Sequence, residues 1–277
     1  MSIICYLSHL LVPHTASAFP RMIANEANVL EKTSKFILER YLGYDTISTL
    51  FIDQPLGYDC TATSSNTVGK FISDYEFPYP IESIQATTVN EECSAEIKYQ
   101  PGLLLSRETL HFERSNLKIK SIQTIYSNGS FEIDRFVRRI HVCGGGDQQN
   151  SINALQSARL LKLASNFLQA DVSQNLEKQH SLLLEDSVAF GVRGSDNIIT
   201  AQKEGIDAGT TYSLPFPLQV NIDNKCVSLD FLSHKNGVTE RGTDIMYFDL
   251  LKEKVVRIDT LRHTLNQPAW VRTHFTM

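Results

Sequence analysis

Positive charge is in deficit in this chain: 26 Lys and Arg against 31 Asp and Glu leave a net charge of -5. Without a basic field there is nothing to track a phosphate backbone, so nucleic acid is excluded as the expected partner. Long apolar runs are missing too, and no membrane span is expected. The five cysteines (Cys5, Cys60, Cys93, Cys143, Cys226) are scattered, with no C-x-x-C pair. That spacing provides neither a metal clip nor a disulfide scaffold, and points to ordinary thiols in a reducing, cytoplasmic setting. Walker loop, dinucleotide fingerprint, metal-binding histidine pair and serine-hydrolase elbow are all absent, so the expectation is a protein without cofactor or metal. Tryptophan occurs once, at Trp270, where it could cover a pocket mouth.

What is present is repetition. Leu110–Ile122 reads as strand, polar turn and strand, and Ile245–Ile258 reads the same way. Each lies near the end of a similar succession: apolar-periodic helix, short strand, further helical stretch, long strands. At 277 residues the chain has room for two copies of an α+β unit of about a hundred and ten residues. Gly144–Asn150 is polar and Gly-rich, which is linker chemistry. The expected division is a leader or extension over 1–22, a first domain over 23–143, a linker over 144–151 and a second domain over 152–277. Ile3–Val12 is mostly apolar and Ala16-Ser17-Ala18 resembles a cleavage site. However, no Lys or Arg precedes the apolar stretch, and Pro13 and two histidines crowd it, so secretion is the weaker reading.

In the first copy, Val29, Leu30, Phe36, Ile37 and Tyr41 fall near helical spacing, with Gly43 as a stop. Thr46–Phe51 is a second helical candidate, capped by Asp45. Strands are expected over Ile81–Val89, Ala95–Tyr99, Leu103–Glu113 and Ile119–Tyr126, with Phe131–Val142 as a further strand. In the second copy, Leu160, Leu161, Ala164, Phe167 and Leu168 share a helical face. Asp171, with Gln174 three residues on, reads as a cap for a helix over Leu176–Leu184. Val188-Ala189-Phe190 is a short strand, followed by strands over Leu218–Ile222, Cys226–His234, Glu240–Phe248 and Val255–Leu261. A helical layer on a bent antiparallel sheet encloses a cone whose open end suits a ligand.

Leu168-Gln169-Ala170-Asp171, Leu184–Phe190 and Lys254–Asp259 resemble segments of the nuclear transport factor 2-like superfamily, which includes the SnoaL-like polyketide cyclases and ketosteroid isomerases. The resemblance covers roughly residues 155 to 265, and, more diverged, roughly 25 to 140. It implies two α+β cones, each a strongly curved antiparallel sheet with helices on its concave side, packed as an intramolecular pseudo-dimer. A homo-oligomer stays open. Fold alone does not give function, since such scaffolds host enzymes, adaptors and binders.

The resemblance places Asp59 at the position of a catalytic base and Glu108 at that of an acid facing a developing oxyanion. Two acids in an apolar cone separate their pKa values and so suit acid–base work. Resemblance to the tandem epoxide hydrolases that cyclise polyether polyketides adds Glu82 as partner of Asp59. Tyr58, Tyr75, His111, Tyr126 and Asp244 are candidates for binding substrate. In the second copy Gly191 takes the base position, leaving Asp244 alone, so the first pocket is the one expected to be active. Plainer readings stand beside these. Asp59 suits a solvated turn, Glu108 a cross-strand ion pair, His111 a strand surface, and the tyrosines simple packing.

The expected function is a cofactor-independent acid–base enzyme acting on a small hydrophobic, polyketide- or terpenoid-like molecule. Epoxide opening by cyclisation or hydrolysis, or isomerisation, would be its reaction. The alternative is a non-catalytic binder of a lipid, pigment or polyketide. A protein-interaction adaptor would require an exposed apolar sheet face.

Overall fold

The computed structural model describes residues 18–42, 45–57, 61–62, 79–89, 92–101, 105–126 and 148–263. Asp59, Tyr58, Tyr75, Trp270 and the expected strand Phe131–Val142 lie outside these residues. In the first half the elements are α1 (Ala18–Leu42), a 3-10 turn (Asp45–Leu50), β1 (Phe51–Gly57), β2 (Thr61–Ala62), β3 (Ile81–Val89), β4 (Glu92–Tyr99), β5 (Leu105–Phe112) and β6 (Ile119–Tyr126). The second half begins with α2 (Gln148–Val172), α3 (Leu176–Leu182), β7 (Leu183–Ala189), β8 (Val192–Arg193) and α4 (Ser195–Asp207). It continues with β9 (Thr211–Ser213), β10 (Leu218–Asn221), β11 (Cys226–Lys235), β12 (Val238–Asp249) and β13 (Lys254–His263). Helix α1 thus takes in residues of the expected leader, and α2 begins inside the expected linker.

The strands form one mixed sheet in the order β2-β1-β6-β5-β4-β3-β10-β11-β12-β13-β7-β8, with β9 also paired to β11. From either end the order repeats. A two-residue strand pairs antiparallel with a short strand, which pairs parallel with the last long strand of its half; three antiparallel steps then lead inward. The two sets meet edge to edge, where β3 and β10 pair through Ile84↔Leu218 and Ser83↔Gln219. This differs from the expected packing of two separate curved sheets. Each inner edge strand has unpaired backbone groups, and pairing them with the other half satisfies them without a second layer.

Alternation writes the long strands. Along β11 buried and half-buried positions alternate from Leu229 to Ser233, which sets Phe231 inward. The two long helices show the same burial pattern at a fixed offset. Buried Ala27, Val29, Leu30, Thr33, Ser34, Phe36 and Ile37 recur as Ala158, Leu160, Leu161, Ala164, Ser165, Phe167 and Leu168. The offset of 131 residues is also the separation of Ser34 and Ser165, whose hydroxyls share a 2.6 Å hydrogen bond where α1 and α2 pack. One apolar core runs through both halves. Cys93 and Cys226, at the N-terminal ends of β4 and β11, are buried free thiols.

Candidate functional site

In the first half, Glu108 is fully buried and fully paired. Arg40 donates to both of its carboxylate oxygens, at 3.2 and 2.8 Å, and the Tyr99 hydroxyl donates to Oε2 at 2.6 Å. Arg40 is itself buried, lies 4.6 Å from the Phe36 ring centroid and also reaches the Tyr99 hydroxyl. Burial, and the Glu108 charge that partly counters Arg40, push the Tyr99 phenol well above its ordinary range. A buried carboxylate with two guanidinium contacts and a phenol donor forms an internal ion pair that fills this part of the core. Its chain neighbour Arg107 pairs across the strands with Glu96.

Glu82 lies exposed on β3 beside an irregular pairing step. It therefore does not share a chamber with sealed Glu108. His111 is half-buried three residues from Glu108, on the other face of β5, and its Nε2 is buried without a hydrogen-bond partner among the described residues. Tyr126 ends β6 opposite Leu105. Among the described residues, Glu82, Glu108 and His111 are not brought together; Asp59, Tyr58 and Tyr75 lie outside them.

The second half has a cavity of about 560 Å³, and Asp244 lines it. The sequence reading leaves Asp244 without an acidic partner; the structure provides one in Asp171, which lines the same cavity from α2. Asp171 does not cap a helix. It lies inside the last turn of α2, and Asn175 caps α3 by accepting from the Lys178 N–H at 2.9 Å. Gly191, at the expected base position, has φ +78° in the β7–β8 turn and contributes no side chain.

Both carboxyls belong to the cavity lining. Burial pushes Asp171 up to about 6, against the Gln179 amide, which donates to Oδ1 at 2.8 Å. Burial likewise raises Asp244 to about 6, and the charge of Asp171 adds to the rise. The Thr260 hydroxyl, donating at 2.6 Å, and Arg262 work the other way. Tyr212 of β9 is raised by burial and then by Asp171. Its ring packs edge-to-face on Phe231 at 5.7 Å. Gln202 of α4 also lines the cavity, and its Oε1 is buried with no hydrogen-bond partner among the described residues. Two carboxyls raised to about 6 around one cavity, the charge of one raising the other, can divide acid and base roles between them.

The two halves correspond at this point. Asp171 follows Arg40 by the same offset that relates Ser165 to Ser34. Glu108 lies between Ile97 and Thr124 in the sheet, and Asp244 between Leu229 and Thr260. An ion pair in one half is matched by two acids around a cavity in the other. A signal for Asp171 was present in the sequence: it continues the apolar stripe Ala164, Phe167, Leu168, where a carboxylate is out of place on a core-facing side.

Among the described residues no group of three or more His, Cys, Asp or Glu side chains stands together as a metal site. Nor is any helix among them long and apolar enough to cross a membrane.

The chain matches no protein-family model and no curated protein. Solved structures give distant matches. A protein of unknown function with a cystatin-like fold from Methylobium petroleophilum PM1 is 13% identical with a TM-score of 0.36, over 40% of this chain and 80% of that one. A nuclear transport factor 2-like protein of unknown function from Cytophaga hutchinsonii ATCC 33406 is 14% identical with a TM-score of 0.32, over 38% of this chain and 89% of that one. A candidate SnoaL-like polyketide cyclase from Shewanella putrefaciens CN-32 is 14% identical with a TM-score of 0.33, over 38% of this chain and 79% of that one.

Proposed function

We propose that this chain is a cofactor-independent acid–base enzyme for a small, largely apolar molecule, and that it works in the second-half cavity. The observation carrying this reading is the pair Asp171 and Asp244, both lining one cavity and both raised to about 6. Asp244 is the base: Thr260 and Arg262 favour its ionised form. Asp171, surrounded by protein, retains the proton and supplies it. Tyr212, neutral at working pH, donates a hydrogen bond to a substrate oxygen. This arrangement suits proton abstraction beside a carbonyl, or epoxide opening with one group protonating the oxygen and the other deprotonating the nucleophile. The mirrored strand order and the recurring helix pattern support reading the chain as two copies of one nuclear transport factor 2-like unit, over 23–143 and 152–277. In that reading the first copy has filled its site with Arg40 and Glu108.

The test uses 2-tetralone in deuterium oxide, with a panel of hydroxy-epoxides alongside. Wild type should incorporate deuterium or open the ring, and Asp244→Asn should lose about a hundred- to ten-thousand-fold in rate. Equal turnover by the variant overturns the assignment. Binding without turnover by wild type would establish the second reading, a non-catalytic small-molecule binder, which is favoured by the apolar walls Leu168, Leu229 and Phe231.

A further inference from the structure

Two tight turns stand on the rim of the cavity, and they solve the same backbone problem with different residues. Ala189 pairs with Val192, so Phe190-Gly191 is a two-residue hairpin loop. Lys235 pairs with Val238, so Asn236-Gly237 is another. Both loops have positive φ at both positions: 54° and 78° in the first, 51° and 78° in the second. That is the type I′ turn, whose twist matches the flanking strands and whose preferred pair is Asn-Gly. Asn tolerates the left-handed region because its short side chain bonds locally, whereas a Phe Cβ crowds the following carbonyl. The β11–β12 loop therefore shows what this turn asks for, and the β7–β8 loop departs from it.

Phe190 gains little from the departure within the protein. Its ring lines the cavity and yet is 43% exposed, so it is neither a core residue nor a favourable turn residue. Asn236 lines the same cavity with the residue the backbone prefers. A non-glycine residue held in a strained conformation at a ligand site points to a functional constraint on its side chain. An aromatic ring at the opening supplies a flat apolar face, while the carboxyls of Asp171 and Asp244 lie sunk in the wall.

We infer that Phe190 is the specificity-determining residue of the cavity, selecting ligands with a flat ring over open chains of equal size. The ring face of the ligand stacks on Phe190, and its oxygen function reaches the carboxyl pair. This inference rests on the reading of the cavity as a small-molecule site.

The experiment measures binding of 2-tetralone and of the open-chain ketone 2-decanone to the full chain by calorimetry, together with the Tm. Wild type should prefer 2-tetralone. Phe190→Asn, which installs the turn already present at Asn236, should weaken 2-tetralone binding about tenfold and leave 2-decanone nearly unchanged. The same variant should raise the Tm by about 2–4 °C as the backbone conflict is relieved. Phe190→Tyr should retain the preference for the ring. Unchanged discrimination in Phe190→Asn overturns the role of Phe190 while the cavity reading stands, and a lowered Tm overturns the strain argument on which that role depends. Failure of wild type to bind either ketone overturns both the role and the cavity reading.

Discussion

Arg40 and Asp171 carry opposite charge at the same point of two matching helices. Arg40 binds Glu108, whereas Asp171 lines a cavity together with Asp244, the counterpart of Glu108.

Installing the first-half arrangement in the second should therefore close the cavity. Asp171→Arg should pair with Asp244, pull its pKa below the ordinary carboxylate range and abolish binding of 2-tetralone without lowering the Tm. Calorimetry with a thermal melt checks both halves of this statement. A variant that still binds the ketone would mean that Asp171 and Asp244 do not control the cavity.

Stability should depend on pH in an unusual direction. Folded Asp171 and Asp244 titrate near 6, above the unfolded value of about 3.9, so the folded state holds protons more tightly. Stability then falls as pH rises from about 4 to about 6 and levels off above. Asp171→Asn or Asp244→Asn should flatten that decline and stabilise the protein by about 1–2 kcal/mol at pH 7.5. Urea unfolding at pH 5 and pH 7.5 measures the effect.

Breaking the first-half ion pair should act on stability. Arg40→Met leaves Glu108 buried and uncompensated, and should destabilise the fold by about 3–5 kcal/mol. The double change Arg40→Met with Glu108→Leu should recover most of that loss. Denaturant titration of the three proteins decides it, and no recovery would mean that Arg40 acts chiefly through its packing on Phe36.

Gly242 leaves room for the ring of its cross-strand partner Phe231, which lines the cavity. A Cβ there would overlap the Phe231 ring, which packs on Tyr212. Gly242→Ala should cost about 1–3 kcal/mol through forced movement of that ring. It should also weaken ligand binding, although Gly242 does not line the cavity; thermal melts and calorimetry test the two effects.

The long strands were legible because each buries one face, and alternation records that directly. Strand β1 was not: Asp53, Gln54 and Pro55 break the alternation, and its parallel pairing with β6 shifts register along its length. Helix α4 was legible only as an unbounded helical stretch, since Ile198 is its one buried large apolar residue. At the site, Asp244 could be placed from the repeat in the strands. Asp171 was hidden because an acid followed three residues later by Gln also describes a capping box, and the two readings differ only in where α2 ends. The edge-to-edge seam could not be read either, since β10 and β3 look like ordinary strands with either partner.

The hydrogen bond between Ser34 and Ser165 joins corresponding points of a single polypeptide. Were the two halves separate copies of one chain, every substitution would be made twice, and a stabilising Arg at the end of the helix would close both cavities at once. Joined covalently, the halves mutate independently across a shared core. The chain can thus assign cohesion to one side and reactivity to the other, so the cost of two repelling acids in the second half is borne by a partner that has none of its own to accommodate.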